Sequence, residues 1–184
     1  MNAPVDVTDI RIETDRLILR PWRESDLEDF YEYARVDGVG QMAGWPPHQS
    51  IESSRSIIRN LFTNDRTWAV VWKATHEPIG CIGYLLAPDS HIPLGDKEAE
   101  VGYWIGRPYW NKGICTEALR LLVDYCSHTM GFKTLWGTHF TDNRASGRVM
   151  EKCDFSDTGR TQHCSDLYGG NIKPVRVLKL SINS

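Results

Sequence analysis

Apolar positions change their spacing several times along the chain, and each change predicts an element. Within Ile10–Trp22 the run RLILRPW is rich in apolar residues and ends at Pro21, which predicts a first strand. Ser25, with Glu28 three residues on, forms a capping-box pattern. Leu27, Phe30, Tyr31 and Ala34 beyond it fall on one helical face. The stretch VDGVGQMAGWPPHQS reads as a loop from its Gly and Pro content. Ser50 then caps a second helix carrying Ile51, Ile57, Ile58, Leu61 and Phe62.

Three strand-like runs follow. TWAVVWKA (Thr67–Ala74) and IGCIGYLL (Ile79–Leu86) are joined by the polar turn THEP, the pattern of a hairpin. A loop with Pro88, Pro93 and Gly95 leads to EAEVGYWIG. A polar loop then enters a helix that runs to about Met130. Ala118, Leu121, Leu122, Tyr125 and Met130 form its apolar face, and Gly131 suits its C-terminal cap. KTLWGTHF is the next strand, Asp142-Asn143 caps the short helix RASGRVMEK, and two last strands fall near Phe155–His163 and VRVLKLSI. This order predicts an α/β protein with a mixed sheet: antiparallel hairpins first, then a strand–helix–strand crossover over Glu98–Phe140. At 184 residues, with no repeat or linker, a single domain spanning 1–184 is expected.

Composition narrows the functional classes. Hydrophobic residues make up 41% and charged residues 24%, a globular balance, and the net charge of -3 favours neither nucleic acid nor an anionic membrane as partner. No apolar run approaches the roughly 20 residues that span a bilayer. The start MNAPVDVTDIRIET has no basic region followed by an apolar core, so no secretory signal is expected. Cys81, Cys115, Cys126, Cys153 and Cys164 are odd in number and widely spaced, without a Cys-x-x-Cys pair. A disulfide framework or metal site is therefore not expected, and a reducing, cytoplasmic setting is.

The candidate chemistry lies in YWNKGICTEAL (Tyr109–Leu119), where a polar turn runs into a helix directly after the strand VGYWI. A helix start offers unpaired N–H groups and the positive end of a dipole, and glycine lets a bound group come close to the backbone. Phosphate is the usual ligand of such a place, although a glycine before a helix is also an ordinary turn. The Gly-Lys-Ser/Thr ending of the Walker loop is absent, as is Gly-x-Gly-x-x-Gly.

EVGYWIGRPYWNKGICTEALRLLVDYC, followed by TDNRASGRVMEKCDF, resembles the GNAT superfamily of acyl-CoA-dependent N-acyltransferases. The opening ETDRLILRPWRESDLEDF is similar to its RimJ/RimL-like branch of protein N-terminal acetyltransferases, so the resemblance covers about Glu13–Phe155. It implies a mostly antiparallel central sheet flanked by helices, with acetyl-CoA as co-substrate and no metal. The family loop Gln/Arg-x-x-Gly-x-Gly/Ala, whose amides bind the coenzyme A pyrophosphate, aligns with Trp110-Asn111-Lys112-Gly113-Ile114-Cys115. Asn111, Lys112, Gly113, Cys115 and Thr116 are thereby implied as cofactor-binding. Trp110 replaces the family's Gln or Arg, and Cys115 its last Gly or Ala. A thiol at a helix start also invites a reactive reading, against a packing or amide role.

The resemblance further implies that EVGYWI splays from its neighbour, so that Tyr103, Trp104 and Ile105 line a groove in which the pantetheine arm pairs like an added strand. A free N–H there would stabilise the oxyanion. An ammonium must lose a proton before it attacks, and Glu100 stands where the family places that base, with Glu98 as a rival on the same strand face. Asn143 matches the family's pantetheine-contacting Asn and is also an ordinary helix cap. Ser146 and Arg148 follow on the same helix. Met150 stands where many relatives carry the Tyr that protonates the departing thiolate, and Asp154 replaces the Gly before Phe155. The acceptor site is implied in VGQMAGWPPHQS and CSDLYGGN, with Trp45, His48 and Tyr168 as candidates. The implied acceptor is the amine of a protein or peptide. Small-molecule acetylation and non-catalytic acyl-CoA binding are the alternatives, and the chain is expected to be a monomer or homodimer.

Overall fold

The computed structural model describes residues 10–62, 64–165 and 172–182. Its strands are β1 (Ile12–Glu13), β2 (Leu17–Pro21), β3 (Thr67–Trp72), β4 (Glu77–Leu85), β5 (Glu98–Ile105), β6 (Thr134–Phe140), β7 (Ser156–Ser165) and β8 (Ile172–Ser181). The helices are α1 (Leu27–Ala34), α2 (Val39–Ala43), α3 (Ile51–Ile57), α4 (Ile114–His128) and α5 (Arg144–Glu151). The eight strands form one sheet in the order β1-β2-β3-β4-β5-β6-β8-β7. Every pairing is antiparallel except β5 with β6, which the α4 crossover makes parallel. The expected mixed, mostly antiparallel sheet flanked by helices is the observed one.

The sheet is covered on both sides, so β2 to β4 read as nearly continuous apolar runs. On one side Leu17, Leu19, Ile79 and Val101 pack with Ile114, Leu119 and Leu122 of α4 and Met150 of α5. On the other, Ile18, Ala69 and Cys81 pack with Phe30 of α1, Val39 of α2, Trp45 and Ile58.

Three expectations are corrected. The first strand is two, because Asp15 and Arg16 turn the chain between β1 and β2, closed by the Thr14 amide donating to Leu17 O at 2.9 Å. Ser25 does not cap α1. A 3-10 turn over Glu24–Asp26 precedes that helix; Asp26 stands at the N-cap position of α1, and its carboxylate caps the turn instead, accepting from the Arg23 amide at 2.9 Å. Asp26 is buried because Arg20 donates to both of its oxygens at 2.7 and 2.8 Å, a forked pairing that satisfies both charges. The Gly-rich loop contains α2, bracketed by Gly38 and Gly44 at φ of 90° and 93°. By contrast Ser50 caps α3 as expected, accepting from the Ser53 amide at 3.2 Å.

Candidate active site

The site starts from a gap in the sheet. Parallel pairing of β5 with β6 covers only Glu98–Val101 against Thr134–Gly137 and then stops. Both strands run on, and Gly102–Ile105 of β5 have no partner on that edge. The backbone groups of Tyr103 and Ile105, which point away from β4, face a wedge there; the Ile105 carbonyl is taken by the Trp110 indole, and the others are open to an extended ligand entering as an added strand.

Side chains along β5 alternate across the sheet, so the wedge opens into two cavities. Tyr103 and Ile105 join the α4 and α5 side, whereas Trp104 joins the α1–α3 side. The larger cavity, about 580 Å³, lies along α4 and α5, and the smaller, about 300 Å³, lies over Glu100. Tyr103, Trp104 and Ser146 belong to both walls, so the cavities meet at the end of β5.

The larger cavity gathers most of the residues expected to bind cofactor: Tyr103, Trp104, Ile105, Asn111, Gly113, Cys115, Thr116, Asn143 and Ser146 all line it. Gly113 is the N-cap of α4 at φ of 73°, a conformation that turns the chain into the helix and favours glycine. Asn111 is also left-handed, at φ of 60°. Trp110, in the place of a hydrogen-bonding Gln or Arg, donates its indole N–H to Ile105 O at 2.6 Å and so fastens the loop to the end of β5. Lys112 departs from expectation. Its ammonium lies 5.6 Å over the Tyr109 ring, outside the cavity wall, while its carbonyl accepts from Arg16 Nη1 at 3.2 Å. Arg16 in turn donates to Glu117 in the first turn of α4 at 2.8 Å, and Thr14 bonds the same carboxylate.

Burial pushes the Cys115 thiol up, which suits packing rather than nucleophilic chemistry. Asn143 serves as N-cap, accepting from the Ser146 amide at 3.2 Å, while its amide nitrogen donates to Met42 O at 3.1 Å and ties α5 to α2. Met150 is 2% exposed and packs against β6 so tightly that a Cβ on Gly137 would lie 2.6 Å from its sulfur. Nearby, Tyr103 of β5 donates its hydroxyl to Ser146 O at 3.0 Å and stands 3.1 Å from Ser146 Oγ.

Arg144 and Lys152 line this cavity together with Arg148. Sequence reasoning passed over Arg144 and Lys152, yet their spacing of four around Arg148 already placed all three on one helical face. They give the groove a cationic rim, suited to the phosphates of a nucleotide-bearing ligand.

The smaller cavity brings together Glu100, Trp45 and His48. Tyr168 lies outside the described residues. Trp45 crosses Trp104 edge-on at 5.7 Å and sits 5.1 Å from His48, whose Nδ1 meets Ser54 Oγ at 2.7 Å. Burial lowers the His48 pKa, so its imidazole favours the neutral form. Gly102 shares the Glu100 face of β5, and a Cβ there would meet nothing within 4 Å.

Glu100 is 1% exposed and fully engaged. Oε2 accepts from Ser90 Oγ at 2.8 Å and from the His91 amide at 2.7 Å, and Oε1 accepts from Thr138 Oγ1 at 2.8 Å. His91 Nδ1 lies 3.2 Å from both oxygens. Burial alone would raise the Glu100 carboxyl, but these bonds, led by that of His91, outweigh it and hold the group below its ordinary value. The rival Glu98 is committed elsewhere: it accepts from the Gly95 amide and Trp136 Nε1, each at 3.0 Å, and does not line the cavity. Ser90, His91 and Thr138 were missed by sequence reasoning. The first two precede Glu100 by ten and nine residues in a loop without periodicity, and no local pattern marks them.

Residues 16–156 match the acetyltransferase (GNAT) domain family. The chain is 32% identical over 153 residues to the uncharacterized N-acetyltransferase YoaA of Bacillus subtilis (strain 168), covering 80% of this chain and 84% of that protein. A GNAT-family acetyltransferase from Bacillus anthracis superposes with a TM-score of 0.80 at 22% identity, over 94% of this chain and 98% of that one. The ribosomal-protein-S5-alanine acetyltransferase from Vibrio fischeri gives 0.71 at 20% identity, over 94% and 97%. At these identities the likeness to the two solved structures is one of fold.

Proposed function

The chain belongs to the GNAT acetyltransferase family, and we propose that its acceptor is the free α-amine of a protein or peptide, as in the RimJ/RimL-like branch. The enzyme is an acyltransferase of a family that uses acetyl-CoA as acetyl donor. The observation that carries the acceptor reading is the smaller cavity. Aromatic rings wall it, and Glu100 is the only carboxylate among its described lining residues. A polyamine would call for several carboxylates. A peptide start presents one ammonium beside a side chain and an extended backbone, which suits one carboxylate, aromatic walls and an open strand edge.

In this reading acetyl-CoA lies in the larger cavity, its pyrophosphate on the amides that follow Gly113 and its phosphates near Arg144, Arg148 and Lys152. Its pantetheine arm pairs with Gly102–Ile105, and a free amide of that segment holds the thioester oxygen as charge develops on it. The amine enters from the side of Trp45 and His48 and loses a proton to the assembly built on Glu100. It then attacks the thioester carbon directly: the C–N bond forms, the C–S bond breaks, and coenzyme A leaves as a thiolate. An unperturbed thiol has a pKa of about 8.5, so this leaving group is tolerable without a tyrosine at position 150.

The test is thiol release from acetyl-CoA across a panel of peptides with free or blocked N-termini and of small primary amines. Intact mass of the products identifies the acetylated partner. Turnover of free-N-terminus peptides and none of blocked ones is expected, and a consistent preference for small amines would overturn the acceptor assignment.

A further inference from the structure

Glu100 cannot itself take a proton from a substrate without giving up a bond it already makes. A carboxylate offers about four lone-pair sites. Ser90 Oγ, the His91 amide, His91 Nδ1 and Thr138 Oγ1 supply four donors at 2.7–3.2 Å. The side chain is 2% exposed, whereas that of His91 is 34% exposed, and both residues line the acceptor cavity. Of the two, the imidazole is the one an incoming amine can reach.

We infer that His91 is the proton acceptor in the acetyl transfer proposed above, with Glu100 as the buried carboxylate that orients it and stabilises its charged form. Because Glu100 is ionised and accepts only, the neutral imidazole must donate through Nδ1, which leaves the Nε2 lone pair free. Nε2 has no hydrogen-bond partner among the described residues. The loop is held in place at its backbone, where Gln162 Nε2 of β7 donates to His91 O at 3.0 Å.

The proton balance closes with these groups and water. Nε2 takes one proton from the ammonium, giving imidazolium paired with the Glu100 carboxylate. The neutral amine forms the C–N bond, collapse breaks the C–S bond, and the second nitrogen proton ends on the coenzyme A sulfur. The imidazolium then releases its proton to water. The sum is acetyl-CoA plus ammonium giving amide, free coenzyme A and one proton.

The hydrogen bond and charge of Glu100 raise the His91 pKa above its ordinary value of 6.5 against the opposing effect of burial. Protonated His91 cannot accept, so turnover falls as pH drops through that raised pKa. Other titratable groups face the same cavity: Cys81 and Tyr84 from β4, Tyr103 from β5, His139 from β6, Cys164 from β7, and His48. None of them carries a formal negative charge at neutral pH, and no Lys or Arg lines the wall among the described residues.

The experiment joins kinetics to NMR. The wild type is assayed with acetyl-CoA and its best amine from the panel, as kcat/KM against pH, and the His91 C2–H resonance is titrated in the same buffers. The kinetic acid limb and the His91 titration are expected to coincide above 6.5, and the His91 pKa to fall in Glu100→Gln. His91→Gln should lose about 100- to 10,000-fold in kcat/KM and lose the acid limb, with acetyl-CoA affinity by calorimetry unchanged. A His91→Gln enzyme within threefold of wild type with its limb intact overturns the inference and returns the proton to Glu100, Thr138 or another histidine. A His91 titration that does not match the limb overturns it too, with no variant required. A wild type that acetylates no amine at all overturns the enzymatic reading beneath it, and this inference with it.

Discussion

The two cavities that meet at β5 are built by opposite means. The larger, the groove proposed for the cofactor, is made mainly of backbone: an unpaired strand edge, a left-handed glycine and a helix start, with side chains adding a cationic rim. The smaller, proposed for the acceptor, is made of side chains from distant segments: Phe30 of α1, Trp45, His48, Trp104 of β5, Thr138 of β6 and Cys164 of β7. Backbone features tolerate many side chains, whereas a cavity walled by side chains changes with each of them. The division predicts that changes in the groove affect every acceptor alike, and that changes in the acceptor cavity alter catalysis or acceptor choice at constant acetyl-CoA affinity.

The largest effect is expected at Glu100. Glu100→Gln should reduce turnover about 100- to 10,000-fold near neutral pH, with a smaller loss at high pH where free amine is abundant. Acetyl-CoA affinity by calorimetry should hold, and a parallel loss of affinity would break the division. Gly102→Leu comes next. Space is open at that Cβ, so the fold should survive, and the side chain should occupy the acceptor cavity. An acceptor-dependent rise in KM of about 10- to 200-fold is expected, the discrimination a few methylenes give in an apolar site.

On the groove side, Gly113→Val forces a β-branched residue into a left-handed conformation, at a cost of about 1–2 kcal/mol. If that cost falls on the loop, acetyl-CoA binding should weaken about 5- to 30-fold, by the same factor for every acceptor. The smallest effect is expected at Met150, a buried residue that borders only the smaller cavity and serves as packing. Met150→Leu should shift stability by less than about 1.5 kcal/mol in a denaturant melt and leave the pH–rate profile in place. A displaced profile would place that position in the proton path.

The same division explains what the sequence made legible. The groove could be read because local chain geometry builds it: Gly113 before an amphipathic helix, an apolar strand before that, and Asn143 as cap. Lys112 misled because a nearby ring, Tyr109, competes for its ammonium. Glu100 was marked by its place on the strand, but its partners were not. Ser90 and His91 reach it from an irregular loop, and Thr138 from a strand whose parallel register becomes fixed only once α4 has crossed over. The helix α2 was hidden because its turns are written in glycines, which read as loop until Val39 is seen buried against Phe30 and Trp45. At Ser25 the local cap pattern yielded to the buried pairing of Asp26 with Arg20, six residues back on β2.

The clamp of Thr14 and Arg16 on Glu117 bears on how the chain acquires its function in time. It joins residues 103 and 101 positions apart, so the helix start that would receive the pyrophosphate is not a local structure. The entropy lost in closing so long a span grows only as the logarithm of its length, yet closure must wait until the sheet has brought β2 and α4 together. A newly made chain can hold its helices and hairpins and still lack an ordered phosphate loop. The order of that loop therefore depends on the N-terminal hairpin, so damage there would be felt at a loop a hundred residues away.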